Sequence, residues 1–209
     1  GTGTPMPVGN AVVTDPVTPF TDNQIPFGSV TQNLSVTHTV TVTNSGNANL
    51  TLGRVAMANP LVPPFSIGTD TCSNQVLAPT GTCSFEVLFG PTATGAFNDV
   101  LDVPSDDSDL PTVAVSVTGT GTPVPVGEIS VADSVSPAGD LQVGYGNVDL
   151  ASSINQTITV ANAGTGNLVI GTVGAVNGVA APFSFVSNTC SGQTLAPAAD
   201  SQVLQASPT

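Results

Sequence analysis

Three aspartates within four residues form the first group in this 209-residue chain that could do chemistry. Asp106, Asp107 and Asp109 offer carboxylate oxygens, the ligands that calcium takes in proteins. The spacing lacks the glycine and the distal glutamate of an EF-hand loop, so a solvated turn is the alternative and the favoured interpretation. The sequence predicts no other cofactor.

His38 is the only histidine of the chain. A catalytic histidine needs an orienting partner and a nucleophile close by, and the sequence shows no such set. Its counterpart in the repeat described below is Gln156. We therefore predict that His38 is a polar residue at a strand end and that the chain is not an enzyme.

Two further aspartates, Asp15 and Asp22, recur 118 residues later as Asp133 and Asp140. Aspartate forms turns readily because its carboxylate bonds backbone groups a residue or two further on. Nothing in the sequence indicates that Asp15 and Asp22 share a cleft. The pattern favours turns over an acid–base pair.

The chain has three cysteines, Cys72, Cys83 and Cys190. The first two flank a hairpin-like segment with a Pro-Thr-Gly turn at 79–81. This predicts a disulfide within the repeat and an oxidising compartment. A zinc site is not indicated, since no second pair of cysteines or histidines accompanies them.

Three asparagines, Asn33, Asn49 and Asn155, begin Asn-x-Ser/Thr sequences, the acceptor pattern for N-glycosylation. The pattern does not repeat in register between the two copies. Chance occurrence in a chain rich in threonine and serine is therefore the favoured alternative.

The negative net charge and the scarcity of basic residues argue against nucleic acid and anionic lipid as partners. Only 7% of the residues are charged, the net charge is −13, and Arg54 is the single cation among Lys and Arg. Such a chain cannot neutralise phosphates, which argues against nucleic-acid binding. It also lacks a basic patch for anionic lipid and an apolar run of about 18 residues, so no membrane span is predicted.

The elements that position these residues come in two copies. The stretch from His38 to Gly53 returns without a gap as Gln156 to Gly171. Alternating valine and threonine predict a strand with one buried face, and the Asn/Gly-rich residues 44–49 predict a turn, because both residue types tolerate positive φ. The repeat predicts two domains, residues 1–118 with a linker-like lead-in at 1–9, and residues 119–209.

Short alternating segments predict an all-β, antiparallel sandwich. Two prolines, Pro123 and Pro125, predict a stiff linker over 119–126. The strands expected in the first copy lie at 11–13, 27–30, 36–43, 50–56, 65–67, 83–89, 96–103 and 112–118.

The second copy is expected to be incomplete. It holds 91 of 118 positions and lacks a counterpart of 92–118, which carry the last two strands of the first copy. At the 118-residue spacing of the repeat, polar residues stand where the first copy has a cysteine and two apolar residues. Ser201 corresponds to Cys83, Gln205 to Val87 and Ser207 to Phe89. We expect either that the natural chain continues past Thr209 or that a neighbouring subunit donates strands, with residues 10–20 as the candidate donor.

The motifs of the first copy, in order, resemble a known family, the abnormal-spindle/Hydin-type (ASH) repeat of bacterial choice-of-anchor D surface proteins. The resemblance covers essentially all of the first copy and most of the second. It implies tandem immunoglobulin-like (PapD/ASH-type) sandwiches of seven strands, a cysteine pair such as Cys72 and Cys83, and no catalytic residues. The motifs are Phe-Gly-Ser-Val at 27–30, Val-Thr-Val-Thr-Asn-Ser-Gly-Asn-Ala-Asn-Leu at 40–50, Phe-Ser-Ile at 65–67, Thr-Cys at 71–72, Leu-Ala-Pro-Thr-Gly-Thr-Cys at 77–83, Phe-Gly-Pro-Thr-Ala-Thr-Gly-Ala-Phe at 89–97 and Val-Thr-Gly-Thr-Gly at 117–121.

Three functions fit these features. The first is a non-catalytic segment of a bacterial surface stalk, adhesin or filament, whose partners are copies of itself or further repeats of the same chain. The second is a module that binds a glycan or a protein through its loops. The third is an accessory domain of a larger secreted enzyme. All three imply an extracellular or cell-surface location.

Overall fold

A computed structural model describes residues 6–174, 176–198 and, as backbone only, 201–208. The chain forms two compact units, which we call unit 1, ending at Pro123, and unit 2, starting at Val124. The first five residues of the expected lead-in lie outside the described residues, and residues 6–10 precede the first strand. None of the described residues belongs to a helix long and apolar enough to cross a membrane.

Residues 6–123, the described part of unit 1, form nine strands. They are β1 (Ala11–Thr14), β2 (Gln24–Thr31), β3 (Val36–Asn44), β4 (Leu50–Thr51), β5 (Phe65–Asp70), β6 (Val76–Leu77), β7 (Thr82–Phe89), β8 (Gly95–Pro104) and β9 (Thr112–Thr122).

The strands of unit 1 form two main layers and a small additional sheet. One layer has the order β1-β3-β7-β5, the other β2-β9-β8, and β4 pairs with β6. The first layer is antiparallel throughout, as expected. The expectation fails for β2 and β9, which run parallel, with an irregularity between Pro26 and Ser29 where Gly28 has a φ of 67°. Four plus three strands give the seven implied by the family resemblance.

The core of unit 1 lies between the two layers. In β3 the valines face inward and the threonines outward, because successive side chains of a strand point to opposite faces. Branched aliphatic residues of β8 and β9 meet phenylalanines of β5 and β7 from the other side. The rings of Phe65 and Phe89 stack with centroids 4.8 Å apart. Burial of these side chains is the main stabilising contribution to the unit.

Two expected boundaries in unit 1 are wrong. The strand expected over 50–56 ends early, because the chain leaves β4 to cover the edge of β8, where Gly53 and Ala56 donate to the carbonyls of Pro104 and Asp102. The linker expected from residue 119 begins later, because β9 keeps pairing with β2 as far as Thr122.

Unit 2 repeats one layer of this arrangement. Its strands are β10 (Ile129–Asp133), β11 (Gln156–Asn162), β12 (Leu168–Val169), β13 (Phe183–Asn188), β14 (Thr194–Leu195) and β15 (Ser201–Pro208). The order β10-β11-β15-β13 matches β1-β3-β7-β5, and β12 pairs with β14 as β4 does with β6. Among the described residues no strand corresponds to β2, β8 or β9.

Candidate functional site

A buried asparagine, Asn44, is the most highly connected polar side chain of unit 1. Its Oδ1 accepts from the backbone N–H of Asn10 at 3.2 Å and of Gly46 at 3.0 Å. Its Nδ2 donates to the carbonyls of Ala48 at 2.7 Å and Leu77 at 2.8 Å. These four bonds use both hydrogens of the amide and both lone pairs of its oxygen. We call this arrangement the asparagine latch.

The latch joins segments that are distant in sequence. It ties the entry to β1, the turn after β3 and strand β6 to one side chain. Asn44 is also the last residue of β3, and none of residues 44–49 has a positive φ. The turn predicted at 44–49 is present, since the Oδ1 of Asn44 accepts from the N–H of Gly46 two residues further on, but positive φ is not its cause. The sequence did not predict that the amide of Asn44 is buried and also bonds Asn10 and Leu77. Its identity in both sequence copies was the signal that could have revealed it.

Unit 2 contains the same latch at Asn162. The Oδ1 of Asn162 accepts from Glu128 at 3.1 Å and Gly164 at 2.9 Å. Its Nδ2 donates to Gly166 at 2.7 Å and Leu195 at 3.0 Å. Each partner lies 118 residues after its counterpart in unit 1, so the latch belongs to the repeat and not to one copy.

The predicted disulfide between Cys72 and Cys83 is present, with Cα atoms 5.1 Å apart. It does not close a simple hairpin, because β6, which lies between the two cysteines, pairs with β4 and not with β7. The bond instead joins the chain just after β5 to the start of β7. Asp70 supports this corner by accepting from the N–H groups of Cys72 and Ser73.

Cys190 of unit 2 is buried and unpaired as a thiol, and burial raises the pKa of this thiol. In unit 1 Cys83 lies opposite Val42, whereas in unit 2 Gln202 lies opposite Val160. Strand β15 is thus shifted by one residue from the 118-residue spacing. The sequence mapping of Ser201, Gln205 and Ser207 onto Cys83, Val87 and Phe89 is therefore wrong. Apolar Leu204 and Ala206 take the register positions of Phe85 and Val87.

The aspartates proposed for calcium are engaged with the backbone. Asp107 is buried, and its carboxylate accepts from Ala11 at 2.9 Å, Asp109 at 2.9 Å and Leu110 at 3.2 Å. Asp106 accepts from the N–H of Thr51 at 2.8 Å, while the side chain of Asp109 is exposed. Within the described residues no group of three His, Cys, Asp or Glu side chains is arranged to hold a metal ion. The geometry favours a loop fastened to β1 and β4, and calcium remains a prediction from the sequence.

Replacing Asp107 with asparagine should remove a pH-dependent part of the stability of unit 1. The backbone hydrogen bond from Ala11, and then those from Asp109 and Leu110, hold the pKa of Asp107 below its ordinary value of 3.8. A carboxyl with a lowered pKa stabilises the fold fully above that ordinary value and loses the contribution as the pH falls through the folded-state pKa. We expect D107N to cost about 1 kcal/mol at pH 7, and less at lower pH.

Urea denaturation of both proteins from pH 7 down to pH 3 measures this difference. The exposed neighbour supplies the control, since D109N should leave the curve unchanged. A constant gap between D107N and the parent at every pH would contradict the assignment.

Asp22 and His38 lie close enough to Asp15 to shift its pKa, which the sequence did not indicate. Burial raises the pKa of Asp15, the hydrogen bond from Val17 lowers it, nearby Asp22 raises it and nearby His38 lowers it. Each aspartate also forms the predicted turn, since Asp15 accepts from Val17 and Asp22 from Gln24. The His38 ring rests on Phe27, with centroids 4.6 Å apart. The group contains no serine, cysteine or lysine.

The outer face of the β2-β9-β8 sheet carries two adjoining open grooves, which share Asn98 and Thr118. Their volumes are about 390 and 550 Å³. One carboxylate lines them, and it is partly engaged, because Asp99 accepts from the N–H of Val62 at 2.9 Å. Amide and hydroxyl groups supply most of the remaining polar lining, and the first groove is mainly apolar. The remaining lining residues are Pro26, Gly28, Ala96, Phe97, Gly119 and Thr120 in the first groove and Ala58, Asn59, Pro60, Val100 and Ser116 in the second.

All three sequon asparagines are exposed. Asn33 lies in the turn after β2 with a φ of 65°, Asn49 directly precedes β4, and Asn155 directly precedes β11. Exposure makes each accessible to modification, and glycosylation remains a prediction.

These features define an immunoglobulin-like β-sandwich whose buried polar groups serve the fold. The sequence model of the HYDIN/CFA65/VesB-like Ig-like domain matches residues 16–120, half of the chain. The chain belongs to this family, which confirms the resemblance to ASH-type repeats.

Two solved structures illustrate the similarity. The VesB protease of Vibrio cholerae is 18% identical with a TM-score of 0.43, over 52% of this chain and 31% of that protein. The ASH/PapD-like domain 7 of human CEP192 is 12% identical with a TM-score of 0.40, over 59% of this chain and 93% of that domain. The chain thus spans about a third of VesB. Comparison with curated protein sequences gives no match.

Proposed function

We propose that this chain is a non-catalytic segment of an extracellular stalk, adhesin or filament. The observation that carries the proposal is the use of its buried polar side chains. Asn44 and Asn162 form the latches, and Asp15, Asp102 and Asp107 all accept from backbone N–H groups. In the described part of the chain, no buried side-chain nitrogen or oxygen lacks a hydrogen-bond partner. Buried polar side chains that bond the backbone hold the loops of the sandwich in place, which suits a structural segment.

The disulfide between Cys72 and Cys83 supports the extracellular location. Disulfides persist in oxidising compartments, such as the outside of the cell, and are rare in the cytosol. A net charge of −13 with one cation keeps the surface soluble without basic patches. Neighbouring immunoglobulin-like segments, in the same chain or in other copies, are the partners that this role implies.

Two observations favour the alternatives. The joined grooves over β8 and β9 would suit a module that binds a polar ligand. The family takes part of its name from VesB, a protease of which this chain covers 31%, which suits an accessory domain of a secreted enzyme.

Immunoelectron microscopy of native cells, with an antibody raised against unit 1, tests the structural role. We expect label on material outside the cell envelope, along fibres or stalks. Antibody absorbed beforehand with the purified protein supplies the control. Label confined to the cytoplasm would overturn the proposal.

A panel of hydrolase, transferase and redox assays on the purified chain tests the absence of catalysis. We expect no turnover above buffer. A turnover abolished by replacing His38, Asp15 or Asp22 would overturn it, since Asp22 and His38 lie close enough to Asp15 to shift its pKa.

A further inference from the structure

One asparagine of unit 2, Asn177, is followed directly by a glycine, and the sequence contains no other Asn-Gly pair. The pair lies in the loop between β12 and β13, and both Asn177 and Gly178 are exposed. In the described part of the chain, neither the side chain of Asn177 nor the N–H of Gly178 takes part in a hydrogen bond. A side-chain amide and a backbone N–H, both unbonded, are therefore neighbours at this position.

Two such neighbours can react with each other. The backbone nitrogen of Gly178, once it has lost its proton, can attack the amide carbon Cγ of Asn177 and close a small ring. Glycine favours this step, because it has no Cβ to shield its nitrogen and it adopts unusual backbone angles readily. Every other asparagine of the chain precedes a residue that carries a side chain.

The fold shields the two asparagines that precede serine or alanine in the latches. All four hydrogen-bonding positions of the Asn44 amide are occupied, and the N–H of Ser45 is itself hydrogen-bonded. Asn162 is bonded in the same way, and the N–H of Ala163 donates to Glu128 at 2.7 Å. The latches therefore hold both of the groups that would have to react.

The corresponding position of unit 1 shows that exposure belongs to this loop. Asn59 is the counterpart of Asn177 and is exposed, although β8 and β9 complete the sandwich around it. Its successor Pro60 is the counterpart of Gly178, and a proline nitrogen carries no hydrogen to lose. Unit 1 thus has the exposed asparagine without the reactive pair.

We infer that Asn177 is a site of spontaneous deamidation, with water as the only other reactant. The nitrogen of Gly178 bonds to Cγ of Asn177, the Cγ–Nδ2 bond breaks, and Nδ2 leaves as ammonia with the proton from the backbone N–H. Water then opens the cyclic imide at either of its two carbonyls. One opening gives aspartate, and the other gives isoaspartate, in which the main chain runs through the former side chain. Both products carry a negative charge that the amide lacks.

The inference goes beyond the proposed structural role and does not depend on it. The reaction needs no enzyme, so the modified fraction increases with the age of the protein. Isoaspartate lengthens the backbone of the loop that leads into β13. An old copy of the chain therefore differs from a new one in both charge and loop geometry.

The test incubates the whole 209-residue chain in mildly alkaline buffer and follows it by chymotryptic digestion and mass spectrometry. We expect the peptide that ends at Phe183 to gain about 1 Da, the difference between an amide and a carboxyl group, and to contain isoaspartate as well as aspartate. Asn177 should react at least about tenfold faster than any other asparagine, because its successor alone lacks a side chain. A sample digested without incubation gives the background.

Two substitutions of Gly178 supply controls. A Cβ at this position would meet only the carbonyl oxygen of Gly174, at the ordinary contact distance of 3.6 Å, so the loop accommodates a side chain. G178A should slow the reaction about tenfold, because the methyl group hinders the attack. G178P, which copies the pair of unit 1, should abolish it, because the nitrogen has no proton.

A substitution in unit 1 tests whether the fold selects the site. S45G places an Asn-Gly pair in the asparagine latch, and Ser45 is exposed, so the core stays intact. Asn44 of this variant should remain unmodified in the folded protein and should react in urea, where its hydrogen bonds are lost.

Three outcomes would overturn the inference. The first is the absence of a mass gain at Asn177. The second is aspartate without isoaspartate, or an equal rate in G178P, since either would assign the change to direct hydrolysis of the side chain. The third is equal modification of Asn44 and Asn177 in folded S45G, which would show that the hydrogen bonds of the latch give no protection. The location seen by microscopy is unaffected by any of them.

Discussion

Replacing Asn44 with alanine is expected to lower the free energy of unfolding of unit 1 by about 3 kcal/mol. The change removes four hydrogen bonds at once and leaves two N–H groups and two carbonyls without this partner. A buried polar group left unpaired costs about 1–3 kcal/mol, and partial access to water at the turn keeps the sum at the lower end. For a domain of this size the melting temperature should fall by roughly 10–20 °C.

Calorimetry of the whole chain measures this effect with unit 2 as an internal reference. N44A should move the transition of unit 1 alone, and N162A that of unit 2 alone. N44D keeps the size of the side chain but turns a carboxylate towards the carbonyls of Ala48 and Leu77, so it should cost at least as much. N47A removes one exposed hydrogen bond, which the Oδ1 of Asn47 accepts from the N–H of Val8, and it should change the melting temperature of unit 1 little. Equal effects of N44A and N47A would contradict the latch.

The alternation of apolar and polar residues was sufficient to place the long strands. Every second residue is buried from Val40 to Asn44 in β3 and from Phe85 to Phe89 in β7, because each strand has one face on the core, and the sequence shows that period directly. The two-residue strand β6 has no period to detect. The parallel pairing of β2 with β9 joins residues about ninety positions apart, and no local pattern encodes such a contact.

The polar contacts likewise divide into those between residues close in sequence, which could be predicted, and those between distant residues, which could not. Cys72 and Cys83 are close in sequence, so their pairing could be predicted from spacing. Asp107 could not be assigned to its partner, because the N–H of Ala11 lies 96 residues away. The turn bond from Gly46 to Asn44 is local and could be predicted, whereas the bonds of the same amide to Asn10 and Leu77 join residues more than thirty positions apart. The register of β15 could not be fixed from the sequence, because the second copy stops matching the first after Pro197 and spacing alone does not show where a residue is inserted.

Replacing both Cys72 and Cys83 with alanine is expected to destabilise unit 1 by about 3 kcal/mol, since the disulfide closes a short loop and restricts the unfolded chain. Cys72 is fully buried, so the lost sulfur also removes packing around it. The expected result is a lower urea midpoint for unit 1, measured by the exchange of amides in β5 and β7, because the bond joins the chain just after β5 to the start of β7.

The free thiol of Cys190 supplies the control for this experiment. Cys190 is buried, and burial raises the pKa of its thiol, so in the folded protein it should react slowly with iodoacetamide. Its labelling in urea therefore reports the unfolding of unit 2 in the parent and in C72A/C83A alike. We expect the labelling curve to stay in place while the midpoint of unit 1 falls. A parent and a variant with the same midpoint for unit 1 would show that the bond is dispensable. A labelling curve that moved with that midpoint would show that the disulfide stabilises the chain as a whole, and the separate treatment of the two units would then be wrong.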